Sequence, residues 1–271
     1  MAYFSPLQLS FLLFFTMSLI WIQALSQEAS FSNSVDWRES GAVSRVWDVD
    51  LRKSCKGGSW AFAAAGAVES FKAIQTGRMV VLSPQQLIDC NTYNSGCNEK
   101  GTADPYHALN YIRLHGITTD SKYPYTGVKS SCKPFTNDVS MSQIGTVPGT
   151  SDSFLVEAVS KQPVIARIDG SASEFDSYAG GIYSGPCSDS KASLPVLIVG
   201  YGRTQHGVEY WILKNWWGRS WGEGGYMRLE RGKCNILSDI SFPRDPPKFS
   251  SKSVIYVTFL RNIALFQPIF P

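Results

Sequence analysis

The order of periodicities along this chain predicts an α+β protein of two lobes, a helical one followed by a strand-rich one. Two observations carry the prediction. Capped segments with helix-spaced apolar residues fill the stretch 27–142, and short Gly-bounded runs of β-branched and aromatic residues fill 143–243. The chain has no internal repeat.

Ser59 through Thr76 reads as a helix, because Trp60, Ala64, Val68 and Phe71 recur at helical spacing and Gly77 is a natural stop. Ser59 suits the N-cap, where a hydroxyl is strongly favoured. Ser83-Pro84-Gln85-Gln86 has the form of a capping box with Pro at the first helical position, opening a short helix to Cys90. Asp104-Pro105 opens another, through Ala108, Leu109 and Ile112, closed near Gly116. Ser153 to Lys161 is a fourth candidate. Strands are expected at Pro163–Asp169, Val196–Gly202, Val208–Lys214 and Gly225–Arg231.

The first 26 residues read as a secretory signal. An apolar run from Phe11 to Ile22 precedes Ala24-Leu25-Ser26, the small-x-small pattern of a cleavage site. A short membrane anchor and a buried core helix are the competing readings of the same run. The tail, 244–271, opens with Pro and Ser and continues as an apolar stretch from Val254 to Phe270, interrupted by Arg261 and Pro268. It reads either as a sorting or membrane-associating tail or as unselected sequence, and it is too interrupted for a good membrane span.

Six cysteines remain after the signal: Cys55, Cys90, Cys97, Cys132, Cys187 and Cys234. An even count behind a signal implies three disulfides in an oxidising compartment, and spacing alone leaves fifteen pairings open. No Cys-x-x-Cys or His-rich spacing suggests zinc, and nothing calls for a cofactor. The net charge of +3 is spread along the chain without a basic run, which argues against nucleic-acid binding.

Several separated motifs share one order. They are Val35-Asp36-Trp37-Arg38, Trp60-Ala61-Phe62, Leu82-Ser83-Pro84-Gln85-Gln86-Leu87-Ile88-Asp89-Cys90, Gly180-Gly181-Ile182-Tyr183, Val199-Gly200-Tyr201-Gly202 and Lys214-Asn215-Trp216-Trp217-Gly218. Together they resemble the papain-like cysteine peptidases over about Val35 to Pro243. The resemblance implies the papain-like two-lobe fold, a helical left lobe and a β-barrel-like right lobe with a cleft between them. It also implies the pairings Cys55–Cys97, Cys90–Cys132 and Cys187–Cys234.

The family attacks a peptide carbonyl with a thiolate, activates it with a His, orients the His with an Asn, and completes the oxyanion hole with a Gln. The matching positions here are Ser59, Leu194, Asn215 and Arg52. Ser59 stands where the family has Cys before Trp-Ala-Phe. Leu194, followed by Pro195, stands where the family has His. Asn215 is kept, but the usual Asn-Ser-Trp is Asn215-Trp216-Trp217. No Gln occurs from Asp36 to Lys72, and Arg52 takes the oxyanion position. The stretch from Cys55 to Trp60 is one residue longer than the family's, and Glu99-Lys100 replaces a Gly-Gly pair beside the cleft. His107, His115 and His206 lie elsewhere and read as surface residues.

The resemblance therefore implies a papain-fold homologue without peptidase chemistry. It would act by binding a peptide, a cystatin-like inhibitor or another secretory-pathway protein, as a monomer in the extracellular space or a vacuole or lysosome. The competing readings are a residual hydrolase using Ser59 and a truncated product without stable function. Only a few residues separate Ser26 from Val35, where the family carries a folding-assisting pro-segment. The signal makes a direct prediction: secreted material should begin at Gln27. N-terminal sequencing checks it, and an intact Met1 in a membrane fraction would identify an anchor instead.

Overall fold

The computed structural model describes residues 34–98, 104–147, 151–187, 193–236 and 238–246. The signal segment, the tail beyond Pro246 and the Glu99-Lys100 replacement lie outside the described residues. The helical half contains α1 (Ser59–Thr76), α2 (Pro84–Cys90) and α3 (Pro105–His115). Fourteen of the 18 residues of α1 are buried, so it is the central helix and not an amphipathic surface one. Gly77 closes it at φ 70°, the left-handed conformation that favours Gly.

The Ser83 hydroxyl accepts from Gln86 N at 3.0 Å, so half of the capping box forms. The Gln86 side chain does not return to Ser83. It donates to the Gly116 carbonyl and accepts from Thr118 N, tying α2 to the end of α3. Asp104 caps α3 through Tyr106 N, and Gly116 ends it, as the sequence predicts.

The strand-rich half is one eight-stranded sheet. Its strands are β1 (Val35–Asp36), β2 (Gln143–Thr146), β3 (Val164–Ile168), β4 (Ile182–Tyr183), β5 (Leu194–Arg203), β6 (Glu209–Lys214), β7 (Tyr226–Glu230) and β8 (Ser238–Arg244). The order is β2-β8-β3-β5-β6-β7-β4, with β1 pairing β5 off this path. Among the described residues no pairing joins β2 to β4, so the path is open. Two helices accompany it, α4 (Asp152–Lys161) and α5 (Ser173–Asp176).

The four predicted strands are present with ends moved by one or two residues. β1, β2, β4, β8 and α5 are additions. β1 also crosses the expected lobe boundary, pairing Val35 with Tyr201 and Asp36 with Gly200. A Cβ on Gly200 would stand 2.2 Å from the Val35 carbonyl oxygen, so only Gly lets the two backbones meet. The three disulfides form with the pairing the resemblance implies, and no cysteine is free. Among the described residues no helix is long and apolar enough to cross a membrane.

The two halves meet around a buried charge network. The Lys214 ammonium, at the end of β6, donates to the Ser44 carbonyl at 2.7 Å, to Ser44 Oγ at 3.0 Å and to the Arg45 carbonyl at 3.0 Å. The Ser44 hydroxyl in turn donates to Glu69 of α1 at 2.5 Å. The other Glu69 oxygen accepts from Leu82 N at 2.8 Å. Burial pushes the Lys214 ammonium down to about 8, against the opposing pull of Glu69. Burial raises the Glu69 carboxyl, against the pull of Lys214 and its two hydrogen bonds.

Both charges resist burial, and each is tolerable only with the other. Removing one partner from such a pair leaves an uncompensated buried charge and costs about 3–5 kcal/mol, while replacing both with apolar groups is often neutral. Lys214→Met or Glu69→Leu alone should therefore destabilise by about that amount. The double substitution should be more stable than either single one. Guanidinium unfolding of disulfide-intact protein checks this, and additive losses would overturn it.

Candidate functional site

The head of α1 is set by a tight turn. Gly58 N donates to the Cys55 carbonyl at 2.7 Å, and Gly57 N donates to the Cys97 carbonyl at 3.1 Å. Cys55 takes φ 49°, an uncommon value for a residue with a side chain, and its bridge to Cys97 anchors the turn. A Cβ on Gly58 would stand 2.9 Å from the Cys55 carbonyl oxygen, so the turn requires Gly there.

This turn corrects one sequence expectation. Gly58, not Ser59, is the N-cap, and no side chain caps the helix. Ser59 becomes the first helical residue, 6% exposed. Its hydroxyl forms no hydrogen bond among the described residues. The first turn of α1 also carries no acidic side chain. Trp60 is fully buried and donates from Nε1 to the Gly96 carbonyl at 3.0 Å, holding the helix against the Cys97 loop.

Asn215 follows β6 and is buried. Its N–H donates to the Gly225 carbonyl, and its Oδ1 accepts from Trp216 N at 2.8 Å. Among the described residues its Nδ2 has no hydrogen-bond partner. A buried donor left unpaired costs about 1–3 kcal/mol. Trp216, at the residue after it, is buried against Phe62 of α1 with ring centroids 5.7 Å apart.

Leu194 opens β5 opposite Ile168 of β3 and is half-buried, packed near Gly170 and Phe175. The register Leu197↔Lys214 brings the start of β5 alongside the Asn215–Trp217 turn. Leu194 and Asn215 are thus brought to the same end of the sheet.

Arg52 sits in the loop before α1, which is tied to the Asn215 turn by Leu51 N donating to the Trp216 carbonyl at 3.1 Å. Its guanidinium donates to Asp50 from Nε and Nη2 at 3.0 Å each. Nη1 faces the Asp176 carbonyl at 3.4 Å, and the group stands 5.0 Å over the Trp217 ring. Trp217 packs edge-on against Phe175 of α5 and against Trp221. Arg52 is therefore a bridge from the helical half to α5, with its fork already occupied.

The three histidines stand apart from these positions, as expected. His107 stacks on Tyr93 at 5.6 Å, and His115 lies beside Tyr111 at the end of α3. His206 is in the turn after β5. At about 3.3 Å per residue, the ten residues of β5 put that turn roughly 30 Å from Leu194. No cluster of three or more His, Cys, Asp or Glu with metal-holding geometry occurs among the described residues. A groove of about 480 Å³ opens beside the α1 head, lined by Cys55, Lys56, Cys97, Asn98, Gly127 and Lys129.

Sequence reasoning missed three features: the Glu69–Ser44–Lys214 network, the Asp50 and Asp176 partners of Arg52, and the packing role of Trp216. A lone Glu in an Ala-rich helix and a lone Lys ending an apolar strand were the available signals for the first.

Burial raises the Asp50 carboxyl, but the Arg52 side chain, its backbone N–H and the charges of Arg52 and Lys53 outweigh that effect. The carboxyl is held below its ordinary 3.8. A carboxyl depressed in the folded state stabilises above its unfolded value and loses that contribution as pH falls through the folded one. Arg52→Gln should therefore cost about 1 kcal/mol at pH 7 through the lost ion pair and ring contact. The difference should shrink below pH 3.8. Asp176→Asn should cost less, because Asp176 is 60% exposed and its ion-pair contact is 3.8 Å long. Urea unfolding at both pH values checks these outcomes.

Comparison with known proteins places this geometry. The family model described as papain family cysteine protease matches residues 31–244. Thiol protease SEN102 of Hemerocallis sp. is 40% identical over 220 residues, covering 78% of this chain and 59% of its own length. Zingipain-1 of Zingiber officinale is 40% identical over 220 residues, which is 96% of its length. The chain thus spans somewhat under two thirds of several relatives and nearly all of another. Among solved structures, the proform of the ragweed pollen allergen Amb a 11 superposes with a TM-score of 0.75 at 35% identity, over 82% of this chain and 69% of that one. Bromelain from Ananas comosus, solved in complex with the E64 inhibitor, gives a TM-score of 0.72 at 35% identity, over 79% of this chain and all of that one. The family match over most of the chain, the identity to these relatives and the superposition of the fold have one explanation: the chain belongs to the papain family of cysteine proteases.

Proposed function

We propose that this family member has lost thiol peptidase chemistry and acts by binding, with a peptide or a cystatin-like inhibitor as ligand, in the secretory pathway, the vacuole or outside the cell. The observation that carries the reading is Ser59, a hydroxyl without a base, at the residue before Trp60. A thiol is partly ionised near neutral pH, whereas a Ser hydroxyl needs a positioned base to attack a carbonyl.

Three features support it. Leu194 neither accepts nor donates a proton. Arg52 has its guanidinium engaged by Asp50 and Asp176, and so is not free to meet a developing oxyanion. All six cysteines are in disulfides, leaving no thiolate to substitute. The unpartnered Nδ2 of Asn215 fits a residue whose imidazole partner is gone.

The test is an assay of the secreted chain with a broad peptide substrate and a thiol-directed active-site label. No turnover and no labelling are expected. Turnover abolished by Ser59→Ala would instead establish a serine hydrolase. A second experiment separates lost residues from a remodelled scaffold. Ser59→Cys with Leu194→His should remain at least about 10²-fold below an ordinary family enzyme, since a 1 Å displacement of reacting groups costs that much. One absent oxyanion donor adds about 2.7–4 kcal/mol to the barrier. Deleting one residue of Lys56-Gly57-Gly58 and adding Arg52→Gln should then recover activity. Full activity from the double substitution alone would refute the remodelling.

A further inference from the structure

We propose that the head of α1 is a carboxylate site, and that the peptide this chain binds seats a carboxylate there. The inference rests on the binding reading above and names the chemistry of its ligand. A helix N-terminus carries about half a positive charge and several unpaired N–H groups. Such an end is ordinarily met by an acidic side chain or a polar cap. α1 has neither, since its first turn holds no Asp or Glu and Gly58 offers no capping side chain. Ala61 N donates back to the Gly58 carbonyl at 3.0 Å, but among the described residues the N–H groups of Ser59 and Trp60 meet no acceptor. A thiolate at position 59 would compensate this charge, and a neutral hydroxyl does not.

Two further observations point to a ligand. Ser59 is only 6% exposed, and its hydroxyl has no partner among the described residues, so a walled-in donor stands at the same helix end. Leaving such a donor unpaired is costly, and a carboxylate oxygen accepts from it. The groove of about 480 Å³ beside the helix head gives a peptide room. Its lining includes Lys56 and Lys129 and, among the described residues, no carboxylate. The Lys129 stem lies over Gly96, in the space a Cβ would fill.

Helix end, hydroxyl and lysines select the same sign of charge. A neutral amide would satisfy the hydroxyl but not the helix charge, and an ammonium would satisfy neither. Hydrogen bonds to an ionised acceptor are about twice as strong as neutral ones, which favours the carboxylate over either. A peptide brings that group in two places, its C-terminus or an Asp or Glu side chain.

The experiment titrates the nitrogen-15-labelled full chain, in about 150 mM NaCl to screen diffuse attraction. The probes are acetylated tetrapeptide pools randomised over uncharged residues. One pool has a free C-terminus, a second is amidated and carries a single Asp, and a third is amidated and neutral. The first or second should shift the Ser59 and Trp60 amide signals and bind at least about 10-fold more tightly than the third. Which of the two does so identifies the carboxylate as a chain end or a side chain. Ser59→Asp, which puts a carboxylate into the site, should abolish the preference, with non-reducing mass analysis confirming three bridges. Lys129→Glu, on the exposed rim, should weaken carboxylate binding about 3-fold without touching the helix. Equal binding of all pools would overturn this inference and leave the binding reading standing. Carboxylate binding that leaves the signals of 59 and 60 unmoved, or that survives both substitutions, would also overturn it. No binding by any pool at millimolar concentration would overturn both readings.

Discussion

A lysine ammonium sealed between two halves of a protein must find acceptors, and Lys214 finds all three of them in the segment leading to α1. That requirement fixes much else. Ser44 must point one way to accept from Lys214 and the other way to donate to Glu69. Glu69 must lie on the face of α1 turned toward β6, which orients the whole helix and with it Ser59. Lys214 is the residue before Asn215, so the same anchor fixes the start of the turn that carries Asn215, Trp216 and Trp217. Apolar packing supplies most of the stability. The buried pair supplies the register.

The site differs from this rigid frame in kind. Its loop, from Asp50 to Gly58, is held by an Asp–Arg fork, a glycine turn and a disulfide to Cys97. The body of α1 is held by burial along its length, while the turn sets only its head. This separation lets the loop before α1 vary while the buried body of the helix stays in place. Arg52 illustrates the outcome. A long cation in the loop is neutralised by Asp50 and laid over Trp217, so it serves cohesion between the halves.

Much of the fold was legible because its signals are local. Gly77, Gly116, Asp104-Pro105 and Ser83-Pro84 are punctuation with direct steric or hydrogen-bonding causes, and those helix ends fall where expected. β8 was not legible, because Ser238-Asp239-Ile240-Ser241-Phe242-Pro243-Arg244 holds few β-formers and a Pro, and becomes a strand only by pairing with β2 and β3. β1 and β4 are two residues each and have no periodicity to detect. The cap was misassigned to Ser59 because propensity favours Ser, while the turn over Cys55 leaves room for only Gly58. In the site, the residue types were readable and their partners were not. Asp50 is two residues from Arg52, but Asp176 is 124 away, and only the fold joins them.

The placement of the disulfides has a mechanical consequence. Cys55–Cys97 and Cys90–Cys132 overlap inside the helical half, and Cys187–Cys234 closes the sheet half. No bridge runs from one half to the other. Among the described residues, a tensile force pulling them apart would meet non-covalent links, such as the hydrogen bonds of Trp37 to the Val159 carbonyl and of Lys214 to Ser44 and the Arg52–Asp176 ion pair, together with packing. The seam between the halves would rupture first. The contour between residues 55 and 132, and between 187 and 234, would stay locked until the sulfur bridges were reduced. In a stretching experiment this chain would extend in a few short steps, far below the length its residue count implies.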